Sequence, residues 1–97
     1  MAKVRVPTML RPSVGGERMV AADGSTLREL IGNLDARHPG FAGQLLDAQT
    51  GEQRRFVNLY INDEDVRYLE GLDTPVAESD VISILPAVAG GRFEPSP

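Results

Sequence analysis

The sequence predicts a single α+β domain, a small mixed sheet of four to five strands with one main helix packed across one face. Three observations carry this. One long stretch, residues 26–38, spaces its apolar residues helically between a start signal and a stop signal. Two strand-like runs precede it and three follow it. Ninety-seven residues, without an internal repeat, leave room for one modest core and no second domain.

The run "KVRVPT" alternates, with Val4 and Val6 on one face and Lys3 and Arg5 on the other, as a half-buried strand does. Pro7 has no N–H for a sheet ladder and marks the strand's end or an irregularity there. "RPSVGG" reads as a reversing loop through Pro12, Gly15 and Gly16. "ERMVAA" then pairs back as a second strand with weaker alternation.

In "DGSTLRELIGNLDARHPG", Ser25 or Thr26 accepts from the first free amides, and Thr26 with Glu29 fits a capping box. Leu27, Leu30, Ile31 and Leu34 form the apolar stripe. Gly32 costs about 1 kcal/mol relative to Ala in a helix interior. Arg37, His38, Pro39 and Gly40 stop the helix, and "FAGQLL" offers one further turn. "RRFVNLYIN" is the clearest strand, with Val57, Leu59 and Ile61 on one face and Phe56, Asn58 and Tyr60 on the other. After the turn "NDED", "DVRYL" reads as a short return strand. "VISILP" is the last, with Ile82 and Ile84 opposed to Val81, Ser83 and Leu85.

A single helix covers one side of such a sheet and leaves the other face open. Phe56, Tyr60 and Leu85 are the candidates for that side. Left bare they make a docking surface; the other reading is that loops fold over them.

Composition narrows the function. A net charge of -4 argues against nucleic acid, which rewards a basic footprint. No apolar run approaches membrane-spanning length, and the start "MAKVRVPTML" lacks the long apolar stretch of a secretory signal, so the cytoplasm is expected. The absence of cysteine removes disulfides, thiolate metal sites and a cysteine nucleophile. Asp63, Glu64, Asp65, Glu70, Asp73, Glu78 and Asp80 stand against Arg67 alone, a segment that either steers a basic partner or is a solvated face.

Nothing in the chain assembles a conventional active site. His38, the single histidine, sits at the helix stop and reads as a cap. Asp63, Glu64 and Asp65 have no His or Cys to join them in a metal site, and consecutive strand residues point to opposite faces. "SVGG" lacks the lysine and spacing of a phosphate loop. The chain is expected to bind no metal or cofactor and to catalyse nothing alone.

The remaining feature is "PAVAGG". Pro86 stops a regular ladder, and Ala87, Val88, Ala89 and Gly90 form an uncharged, thin, flexible stretch leading to Gly91. A carboxylate on Gly91 can enter a narrow catalytic channel in a partner enzyme without a side-chain clash. The plain alternative is a disordered end of small residues.

Taken with "VPTMLRP", "DGSTLRELI", "RRFVNLYINDEDVR" and "DVISILPAVAGG", the chain resembles the ubiquitin-like, β-grasp sulfur carriers typified by MoaD and ThiS, and most narrowly the CysO type. The resemblance covers nearly all of residues 3–91. It implies that residues 1–86 are a β-grasp domain, 87–91 a flexible Gly-Gly tail, and 92–97 an extension removed on maturation. It further implies that Gly91 is adenylated by an E1-like enzyme using ATP and converted to a thiocarboxylate. The sulfur would go to a PLP-dependent cysteine synthase or another sulfur-inserting synthase. Arg92 follows Gly91, so no carboxylate exists there in the chain as written. Some family members resemble this precursor state and are trimmed by a JAMM-type zinc protease, whose metal activates water. An expression remnant or a silent paralogue is the alternative origin of "RFEPSP". Two other function classes share the fold: a protein modifier joined to lysines through Gly91, and a non-covalent ubiquitin-like binding module.

Overall fold

The computed structural model describes residues 1–86, 88–89 and 92–93, with the backbone alone for Pro86, Val88, Ala89, Arg92 and Phe93. In chain order the elements are β1 (Ala2–Arg5), β2 (Met19–Ala22), α1 (Leu27–Arg37), α2 (Phe41–Leu45), β3 (Val57–Ile61), β4 (Glu64–Asp65), β5 (Val81–Pro86), β6 (Val88–Ala89) and β7 (Arg92–Phe93). Strands β2-β1-β5-β3-β4 form a five-stranded sheet in that spatial order. Strands β1 and β5 run parallel and the other neighbours antiparallel. The expected mixed sheet with one main helix is what the chain forms. A parallel pair needs a long crossover, and here almost the whole chain between β1 and β5 supplies it. The first and last sheet strands therefore lie side by side at the centre.

Alternation sorts the faces as expected. Val4, Val57, Leu59, Ile61, Ile82 and Ile84 are buried beneath α1, whose Leu27, Leu30, Ile31 and Leu34 are between 0% and 2% exposed. Burying each such side chain contributes about 1.5–3 kcal/mol. The ambiguity over the helix start is resolved: the Glu29 N–H donates to Thr26 Oγ1 at 3.2 Å, and Glu29 Oε1 accepts from the Ser25 N–H at 2.9 Å. Thr26 is the cap and Ser25 takes the return bond, a capping box displaced by one residue. Thr26→Ala is expected to lose about 1 kcal/mol, about 4–8 °C in melting temperature for a domain this size; an unchanged melt would show that this cap contributes nothing. At the other end His38 is the cap, its N–H donating to the Leu34 carbonyl at 2.8 Å. Between β2 and α1 the chain passes so close to the helix that a Cβ on Gly24 would lie 2.5 Å from the Leu30 nitrogen.

Two expectations need correction. "RPSVGG" is not an open loop: Thr8–Val14 is a 3-10 helix that buries Leu10 and Val14, and the chain reverses only at Gly15 and Gly16, both at positive φ. "DVRYL" is not a strand: β4 ends at Asp65, and Val66–Tyr68 turn as a 3-10 helix. Two residues apart in a strand share a face, yet Val66 is wholly buried and Tyr68 is 85% exposed. The Asp65 carboxylate accepting from the Arg67 N–H at 2.8 Å starts the turn that separates them. Asn62 and Asp63, at φ 50° and 72°, form the two-residue connection between Ile61 and its partner Glu64.

Side chains occupy outward carbonyls at both rims of the sheet. Arg37 Nη1 donates to the Ala21 carbonyl on β2 at 2.8 Å. On β3, outside the two residues that β4 covers, the Val57 carbonyl accepts from Arg67 Nη2 at 2.9 Å and from Gln53 Nε2 at 2.6 Å. Beyond the main sheet, Val88 pairs with Phe93 and Ala89 with Arg92, antiparallel.

Candidate functional site

The face of the sheet turned away from α1 carries one row of residues across all five strands. Successive registers align Met19, Arg5, Ser83, Tyr60 and Asp65. Leu85 stands diagonally beside Tyr60, opposite Asn58, and is 50% exposed. Both belong to strands whose other parity is committed to the core, so the sheet's pleat presents them outward. Where β1 ends and β5 runs on toward Pro86, the face deepens into a groove of about 510 Å³ whose walls include Arg5, Arg11, Tyr60, Asp63, Ser83 and Leu85.

Of the three docking residues expected from the sequence, Tyr60 and Leu85 meet in this groove. Phe56 precedes β3, is half-buried, has the Arg55 guanidinium 5.8 Å from its ring centroid, and is not among the groove's lining. Pro86 ends β5 opposite Val57, at the groove's border, and the backbone of Val88 and Ala89 follows as β6. Ala87, Gly90 and Gly91 lie outside the described residues.

Arg5 and Arg11 were missed as site residues. The alternation of "KVRVPT" already places Arg5 opposite the core, but only the parallel pairing of β1 with β5 brings it beside the end of the last strand. Arg11 arrives on the 3-10 helix that the sequence suggests is a loop, and its Nε donates to the Val6 carbonyl at 3.1 Å. The face is consequently polarised. Lys3, Arg5 and Arg11 lie toward β1, and Asp63 and Asp65 toward β4.

The acidic segment has more structural work than either sequence reading gives it. Asp80 accepts from Asn62 Nδ2 and from the Ala77 N–H, each at 2.8 Å, while the Val81 N–H donates to Asn62 Oδ1 at 3.0 Å. This lattice ties the start of β5 to the β3–β4 turn. Asp65 caps its 3-10 turn as described, Asp73 meets Arg28 Nε at 3.5 Å, and Glu78 meets the N-terminal ammonium at 3.4 Å. The last two pairs are surface contacts of the kind worth about 0–1 kcal/mol.

The fold can be set beside known proteins. Residues 4–91 match the model of the ThiS family. The chain is 49% identical over 89 residues to the sulfur carrier protein CysO of Mycobacterium tuberculosis H37Rv, covering 91% of this chain and 96% of that one. The crystal structure of the Amycolatopsis orientalis BexX/CysO complex contains a chain that superposes with a TM-score of 0.88 at 44% identity, covering 94% of this chain and 100% of that one. The crystal structure of M. tuberculosis CysO gives a TM-score of 0.87 at 46% identity, over 91% and 100% of the two chains. Among the described residues no helix is long and apolar enough to cross a membrane.

Proposed function

Because the chain belongs to the ThiS family, we propose that it is a sulfur carrier made as a precursor and matured by cleavage after Gly91. It is a small carrier on which partner enzymes act, and not itself an enzyme. The observation that carries the maturation step is the extent of the family match, which ends on Gly91 and leaves Arg92–Pro97 outside it.

The chemistry runs in two balanced steps. Once the Gly91–Arg92 peptide bond is hydrolysed, a Gly91 carboxylate oxygen attacks the α-phosphorus of ATP in an E1-like enzyme, and pyrophosphate leaves. Sulfide then attacks the acyl carbon, AMP leaves with the electron pair of the broken C–O bond, and a thiocarboxylate remains. Splitting one difficult substitution into two easier ones is the logic of covalent catalysis. ATP is consumed by the enzyme and is not held by the carrier. The thiocarboxylate donates sulfur to a PLP-dependent cysteine synthase or another sulfur-inserting synthase, and a JAMM-type zinc protease makes the initial cut.

In this reading Pro86, Ala87, Val88, Ala89 and Gly90 thread Gly91 into the enzyme while Tyr60 and Leu85, flanked by Phe56, hold the domain outside. The solved association of a CysO with BexX supports a docking role for this fold. Leu85→Asp should raise the KM of the activating enzyme for the carrier by an amount equivalent to about 2 kcal/mol, the scale of an interface anchor. An unchanged KM places docking elsewhere.

The test of the whole reading is the intact mass of the chain after incubation with extract of its own source, ATP and sulfide. Loss of residues 92–97 followed by replacement of one oxygen by sulfur is the expected result. A mass that never changes refutes the carrier reading, and covalent adducts of higher mass replace it with the protein-modifier one.

A further inference from the structure

Past Pro86 the backbone doubles back. Val88 pairs with Phe93 and Ala89 with Arg92, and in sequence only Gly90 and Gly91 stand between the paired residues. Gly-Gly is among the preferred pairs for a two-residue hairpin link. An antiparallel partner runs back the way the first strand came, so beyond Phe93 the sequence heads toward Pro86, at the border of the groove. At about 3.3 Å per residue, two residues cover the step from Val88 to Pro86. Residues 94–97 number four.

The groove matches what those residues carry. Its walls set Arg5 and Arg11 against one acid, Asp63, and offer Tyr60 and the half-exposed Leu85 as apolar surface. Glu94 is the one acid after Gly91, and Pro95 and Pro97 flank Ser96. Arg92, the base after Gly91, pairs with Ala89, further along the tail from Pro86. A residue before proline favours extended backbone, and extended proline-containing segments settle on aromatic-lined grooves. A covalent tether adds a high local concentration.

Resting on the carrier reading above, we propose that residues 94–97 lie in this groove in the uncleaved chain. The Glu94 carboxylate then meets Arg5 and Arg11, and Pro95 rests against Tyr60 and Leu85. The uncleaved chain has no Gly91 carboxylate to activate. With a bare docking face it would occupy the activating enzyme unproductively and compete with the matured carrier. Covered by its own extension, it does not. Cleavage after Gly91 therefore has two effects: it creates the reacting group, and it removes the tether that keeps the face covered.

The first test is NMR on the full-length chain and on a chain ending at Gly91. The Nε–H resonances of Arg5 and Arg11 and the Ser83 amide should differ between the two. Glu94→Gln in the full-length chain should return the arginine resonances to the positions of the shorter one. Identical spectra at these groups overturn the fold-back, and arginines indifferent to Glu94→Gln overturn the charged contact. The second test is affinity for the activating enzyme without ATP. A groove covered about 80% of the time weakens the full-length chain about fivefold, and Glu94→Gln should recover most of the loss. Equal affinities of the long and short chains overturn the masking. A loss that Glu94→Gln leaves in place also overturns it, because a clash of the extra residues with the enzyme's channel persists in that variant. A chain ending at Gly91 that is never activated refutes the function proposed above, while the NMR comparison still decides where the extension lies.

Discussion

In a chain ending at Gly91, Gly91→Leu is expected to reduce ATP–pyrophosphate exchange by the activating enzyme about a hundredfold or more, a loss typical of a reacting group held about 1 Å out of place. The melting temperature should not move. Among the described residues the buried apolar core runs from Ala2 to Ile84, and the sheet register ends at Pro86. The loss therefore falls on alignment of the carboxylate with the α-phosphorus and not on the fold. Undiminished exchange would remove Gly91 from the reaction; a lowered melting temperature would mean that residue 91 packs against the domain.

The second large effect is on stability and involves no partner. Gly24→Ala is expected to cost about 2–3 kcal/mol, the upper range for forcing a methyl into packed structure, or about 10 °C or more in melting temperature. The new Cβ would lie 2.5 Å from the Leu30 nitrogen, 2.6 Å from its Cα and 2.8 Å from its Cβ. The first two are backbone atoms inside α1, so no rotamer change relieves the contact. Either the helix lifts off the sheet, or the link from β2 to α1 is rebuilt. Gly32, by contrast, has nothing within 4 Å of such a Cβ, and Gly32→Ala should stabilise the helix by up to about 1 kcal/mol. Equal melting temperatures for the two variants would count against the close approach.

Much of this fold was legible because its elements announce themselves locally. Leu27, Leu30, Ile31 and Leu34 fix the helix by spacing, and Thr26 and Glu29 fix its start. Parity in "VNLYI" and "VISIL" divides core from open face and correctly turns Tyr60 and Leu85 outward. The misreadings lie where tertiary burial overrides local pattern. Leu10 and Val14 draw the segment after Pro7 into a 3-10 helix, and Val66 pulls "DVRYL" out of the strand. The site was half legible for a related reason. Periodicity states which way a side chain points, but not which strand lies next to it. Arg5 becomes a site residue only through adjacency to β5, a contact spanning most of the sequence. Phe56 lies one residue outside β3 and does not line the groove.

A small open sheet runs a particular hazard, because bare strand edges recruit further strands and seed self-association. The arginines at the two rims bear on that hazard. On β2 the Ala21 carbonyl is already held by Arg37, and on β3 the Val57 carbonyl by both Arg67 and Gln53. An incoming strand meets acceptors that are spent, with a guanidinium in the way at each side. The flanks thereby resist sheet growth, while the face between them stays open.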